Sequence, residues 1–358
     1  MQLINATRMA AGFTLGRDSS GRESVVVVAK GTFTLPSDGD RSRLLPIQEP
    51  LVTADVFSGE PGFSAPIYES DFAPLKLRCD VLLNGSAHAP GGKPAQRVDV
   101  ALRVATITKS FEVVGPRTWR QGLVGFAASE AEFLTVLPIS YDNAFGGVDQ
   151  SDPDKPRFYP SNHAGVGYHH NTSLDSVVGQ PLPNTQEPEN PVTNPRGVYR
   201  PMAFGAIGRS WDPRPQYAGT YDQRWIDDVF PFLPKDFRNE YFQCAPPDQQ
   251  CDYLRGGEAV ALVNLTPLGR CSFQLPTVVL PVEFTDIDSN RTRVDAVCDT
   301  LIIEPDQSRF MMVWRASLSL KRDIMAMRQA IVGTPPPGWK RARDTGKVYY
   351  PSLAALGE

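Results

Sequence analysis

The sequence predicts a mainly β protein. It should comprise antiparallel, sandwich-like sheets, a long Pro- and aromatic-rich ordered coil in the middle, and one C-terminal helix. Three observations carry this. Residues 97–104 (RVDVALRV) alternate, with Val98, Val100, Leu102 and Val104 on one face, the pattern of a strand with one wet side. Runs rich in β-branched residues recur towards both ends of the chain. Between them, residues 138–256 hold 16 of the 33 prolines and 17 of the 34 aromatic residues in a third of the length. Prolines that frequent remove backbone donors and fix φ, so long helices and central strands cannot run through the segment. Rings that frequent are foreign to disordered chains, because their burial offsets the entropy of ordering.

Taken in order, residues 24–35 (SVVVVAKGTFTL) read as a strand by β-branching, and 75–83 (LKLRCDVLL) as one by partial alternation. Residues 97–104 and 107–114 follow as a pair. SDGD at 37–40, GEPG at 59–62 and APGGKP at 89–94 punctuate them as turns. In the middle, WDPRPQYAGTYDQRWIDDVFPFLPKDF at 211–237 reads as ordered coil, pinned by rings and Arg/Asp pairs. Strand character returns at 259–265, 272–275, 278–284, 293–303 and 310–320, although the last also fits a helix. RDIMAMRQAIV at 322–332 is the best helix, built of straight-chain residues and stopped by Gly333 and a following Thr-Pro. The expected organisation is one β-rich domain over 1–333, with N-terminal strands (1–137), the coil-rich middle (138–256), then strands and helix (257–333). A C-terminal tail (334–358) follows.

Bulk properties exclude several function classes. Over 358 residues the net charge is −4, so no whole-protein field attracts nucleic acid. The one basic knot, KRARDTGK at 340–347, reads as a solvated tail. The longest aliphatic run, 25–29, is far short of a membrane span, and the first fifteen residues lack the apolar core of a signal peptide. Five scattered cysteines suit reduced thiols in a cytoplasmic protein better than a disulfide framework.

Candidate chemistry is sparse. GSAHAPGGKP at 85–94 has Ala87 where a phosphate loop needs glycine and Pro94 where it needs Ser or Thr. GFSAP at 62–66 lacks the closing glycine of a hydrolase elbow. His163, His169 and His170 lie near Asp149, Asp152, Asp154 and Asp175, and Cys244 precedes Cys251, but neither group has the spacing of a structural zinc site. Asp222, Asp227, Asp228 and Asp236, among Trp211, Tyr221 and Trp225, resemble a sugar cleft in composition. The interleaved Arg209, Arg214 and Arg224 suit pairs that hold coil together. No catalytic, metal or cofactor-binding residues are assigned, and no cofactor is expected. Trp211, Arg214, Tyr221, Arg224 and Trp225 carry the side chains typical of interface hot spots and are the candidate partner-binding residues.

A series of strings then runs in order through the chain. It includes VVAKGTFTLP (27–36), YESDFAPLK (68–76), DVLLNGSAHAPGGKP (80–94), LPISYDNAFGGVD (137–149), WDPRPQYAGTYDQRW (211–225) and DTLIIEPDQSRFMMVWR (299–315). Together they resemble the type VI secretion accessory family built on a domain of formerly unknown function, often encoded beside spike-tip proteins and effectors. The resemblance implies a non-enzymatic, cytoplasmic adaptor or chaperone whose partner is an effector and/or a spike-tip (PAAR/VgrG-type) protein, with no nucleic acid and no membrane. It carries over no catalytic residue. Some members of that family bear additional C-terminal domains, which a chain ending at Glu358 is expected to lack. The competing expectation is a carbohydrate-binding or carbohydrate-active β-protein using the Trp/Asp-rich middle segment.

Overall fold

The run SVVVVA is apolar at successive positions because its strand is covered on both sides. Val25, Val27 and Ala29 face the main core, while Val26 and Val28 face a second layer closed by Leu51 and Phe72. The computed structural model describes residues 1–18, 20–37, 41–320 and 324–349. Positions 38–40 of the SDGD turn, residues 321–323 and residues 350–358 of the tail lie outside the described residues.

Fifteen strands build the three larger sheets. In chain order these are β1 (Gln2–Asn5), β2 (Ala10–Arg17), β3 (Glu23–Thr34), β4 (Cys79–Leu83), β5 (Arg97–Val104), β6 (Ile107–Val114), β7 (Thr185–Gln186), β8 (Gln250–Cys251), β9 (Ala259–Val263), β10 (Arg270–Gln274), β11 (Pro281–Asp286), β12 (Arg291–Asp295), β13 (Val297–Glu304), β14 (Arg309–Ser319) and β15 (Met327–Val332). A six-stranded sheet has the order β8-β4-β13-β14-β3-β2, antiparallel except where β4 and β13 run parallel. A fully antiparallel five-stranded sheet has the order β7-β6-β5-β9-β10. The third sheet is β1-β15-β11-β12, with β1 parallel to β15. Each sheet therefore takes strands from both ends of the chain.

One apolar core runs between the sheets. Val98, Val100, Leu102 and Val104 of β5 face it, as the alternation demands, and share it with Val25, Leu301 and Phe310. Phe310 stacks on Phe33 and on Phe273 at 5.4 and 5.3 Å, linking the six- and five-stranded sheets. The other face of the six-stranded sheet carries buried ion pairs. Lys30–Asp71 and Arg315–Asp299 close at 2.6 Å and Lys76–Asp80 at 2.7 Å, so the coil over them is fastened by charge as well as by packing.

Two expectations change. The stretch expected at 310–320 is strand over Arg309–Ser319, resolving that ambiguity. The helix expected at 322–332 is overturned over its described part: Ile324–Ala326 form a short 3₁₀ turn and Met327–Val332 form a strand. Helix propensity loses there because β1 and β11 offer partners on both edges and the core accepts Met327, Ala330 and Val332. The C-terminal helix lies later, at Pro337–Asp344, within the stretch expected to be tail.

Candidate functional site

Residues 211–237 divide into an inner and an outer half. Trp211, at 2% exposure, packs edge-on to Tyr141 at 5.5 Å and against His163 at 6.1 Å. Arg214 is 1% exposed. Its guanidinium meets both oxygens of Glu69 at 2.7 and 2.9 Å and donates to the carbonyls of Ile207 and Tyr241. Arg209 reaches Asp55 at 2.8 Å and Glu69 at 2.6 Å, completing a network that fixes the coil. Of the five candidate partner-binding residues, Trp211 and Arg214 are thus interior supports. Burial removes them from any surface a partner could reach.

The outer half brings Tyr221, Arg224 and Trp225 together. Asp222 caps the helix Gln223–Asp228 by accepting the Trp225 N–H at 2.9 Å. The Trp225 indole donates to the Phe232 carbonyl at 2.9 Å, and its ring meets Tyr221 at 4.8 Å and Phe230 at 5.6 Å. Tyr221, Ile226, Phe230 and Phe232 remain exposed around it, at 53%, 54%, 67% and 40%. Arg224 is exposed on the rim of a shallow hollow of about 290 Å³, with Asp222, Asp228 and Lys235. The Trp225 ring is thus fixed by a backbone hydrogen bond while the rings around it remain in solvent.

The cluster adjoins a sheet edge. The Arg17 guanidinium at the end of β2 lies over Phe232, 5.6 Å from the ring centre. Gly21, at φ 79°, lets that ring approach the β2–β3 turn, since a Cβ there would stand 3.2 Å from it. β2 is the terminal strand of the six-stranded sheet, and among the described residues no backbone hydrogen bond reaches its outer edge. Phe13 and Leu15, two residues apart, are 39% and 47% exposed on the same sheet face as Arg17. The strand has no proline and its register with β3 has no bulge, so two of the devices that blunt an edge are missing, and Arg17 is its one charged residue. The sequence reading missed Phe13, Leu15, Ile226, Phe230 and Phe232. The alternation of Phe13, Leu15 and Arg17 was the available signal for the strand, although not for its place at the edge.

The other candidates have local roles. Asp236 accepts from the backbone and hydroxyl of Thr220, and Asp227 from Gln223, so with Asp222 three of the four carboxylates of the sugar-cleft expectation hold the segment's own turns. Asp149 is desolvated, yet the backbone N–H groups of Asn171 and Ser151 outweigh this and hold its carboxyl down at about 2. His163 packs on Phe158. Among the described residues no group of three His, Cys, Asp or Glu side chains comes together as a metal site. All five cysteines are buried, with Cys79 opposite Cys251 across the β4–β8 pair. Among the described residues no helix is long and apolar enough to cross a membrane.

The family model described as "Uncharacterized protein conserved in bacteria (DUF2169)" matches residues 20–315. No curated protein and no solved structure matches the chain.

Proposed function

The chain belongs to that family of proteins conserved in bacteria, and we propose that it is a non-enzymatic adaptor or chaperone of type VI secretion. In this reading it binds an effector protein and/or a spike-tip (PAAR/VgrG-type) protein in the cytoplasm and assists its loading, without acting on nucleic acid or membrane. The ordered series of family-like strings supports the secretion context. The observation that carries the adaptor role is the β2 edge, unpaired among the described residues, with Phe13 and Leu15 exposed, beside the ring cluster of Tyr221, Trp225, Phe230 and Phe232. An edge supplies backbone hydrogen bonds to an added strand, and exposed rings supply anchoring area. A pull-down from native cell extract, with the co-purified proteins identified and then re-bound as purified components, should return an effector or a spike-tip protein. Recovery of neither would sink the reading.

A further inference from the structure

A cavity of about 610 Å³ lies between β6 and the middle segment, sharing no residue with the ring cluster. Lys109 and Tyr141 stand in its wall. Lys109 occupies an inward position of β6, between the buried Ile107 and Phe111, where the strand's alternation would place an apolar residue. Its ammonium donates to Gln249 Oε1 at 2.7 Å and lies 3.4 Å from Asp248, so among the described residues one of its three N–H bonds has no partner. Desolvation pulls this ammonium down to about 8, against the attraction of Asp248.

Tyr141 is 3% exposed, lines the same cavity, and its hydroxyl hydrogen-bonds to no described residue. The ring cannot readily turn away. Trp211 packs edge-on against it, and its carbonyl is held by Asn162 Nδ2 at 2.9 Å. A hydroxyl held in the cavity wall without a protein partner is a preformed donor for a ligand. Tyr199, Pro201 and Pro247 add flat apolar surfaces to the wall. At the mouth, Arg200 joins Asp248 at 2.8 Å and Glu187 at 3.1 Å, so the cations there are already matched by carboxylates. Two donors beside flat walls, without surplus positive charge, suit a neutral carbonyl better than a carboxylate.

We propose that this cavity binds a neutral amide carbonyl next to a flat apolar ring, the chemistry of a peptide segment at proline or an aromatic residue. Tyr141 and Lys109 donate to the carbonyl, and the ring lies against the Tyr/Pro wall. The test is a ligand-observed NMR titration of the full-length protein with N-acetylphenylalaninamide and N-acetylprolinamide. N-acetylphenylalanine serves as the charged control, and benzamide as a small amide that is not a peptide. Saturable binding of the peptide amides is expected, weakened about 5-fold by Tyr141→Phe. The melting temperature of that variant should not fall, because the hydroxyl it removes has no protein partner. The free acid should bind more weakly than its amide. Tighter binding of benzamide than of both peptide amides would overturn the peptide assignment. Absence of saturable binding, or equal affinity for wild type and Tyr141→Phe, would overturn the site.

Discussion

Arg214 and Tyr221 belong to one coil and to one class of interface-forming side chain, yet they do opposite work. Arg214 is enclosed with Glu69, whose side chain is also buried. Arg214→Ala would leave that buried carboxylate with Arg209 alone and take the donor from the Ile207 and Tyr241 carbonyls, so a loss of about 3 kcal/mol is expected in urea unfolding. A loss under about 1 kcal/mol would show the network to be incidental. Lys109 makes a pH prediction. Its folded pKa is depressed to about 8 from 10.5, so the unfolded chain binds the extra proton between those values. Stability is therefore gained as pH rises through that window and is lost again as pH falls through about 8. Relative to Lys109→Met, the wild type should gain on the order of 3 kcal/mol from pH 7.5 to 10.5. A difference between the two that is flat with pH would contradict this. Neither residue's burial could be read in advance, because coil has no period to assign inside and outside, and one lysine in an alternating strand reads as an exposed position.

At the scale of elements, the short helix Gln223–Asp228 and the edge of β2 form the surface on which the adaptor reading rests. Tyr221→Ala or Phe230→Ala should weaken partner binding by about 2 kcal/mol, with the thermal melt unchanged, because both rings are largely in solvent. Leu15→Lys places a charge on the edge. It should change stability by no more than about 0.5 kcal/mol and yet reduce binding. Binding and melting measured together on each variant decide the matter. If every variant that melts normally also binds normally, the interface lies elsewhere. The strands at 97–104 and 107–114 were legible to the residue because alternation with one wet face is a local signal. β15 was not, since Met327–Val332 is helix-prone in isolation and becomes strand only between β1 and β11.

For the whole molecule, the order β8-β4-β13-β14-β3-β2 places two C-terminal strands between β4 and β3. Residues 1–137 expressed alone would lack them, leaving the edges of β3 and β4 open and the core face of β3 uncovered. That fragment should show no cooperative unfolding transition by circular dichroism. A sharp, reversible transition would mean that the N-terminal strands form an independent domain.

The sequence by itself determined the β class, the strands read at 24–35, 97–104 and 107–114, the first of which runs Glu23–Thr34 in the structure, and the ordered character of the coil. These follow from β-branching, alternation and the joint density of proline and rings, all of which act over a few neighbouring residues. Only the tertiary structure decided that Trp211 and Arg214 turn inward while Tyr221 stays in solvent and Trp225 is half-buried, that 327–332 is strand, and that no described residue pairs with the outer edge of β2. It alone brought Lys109 and Tyr141 to one cavity. Burial and strand pairing depend on groups far apart in the chain, and the free energy that selects them exceeds local preference.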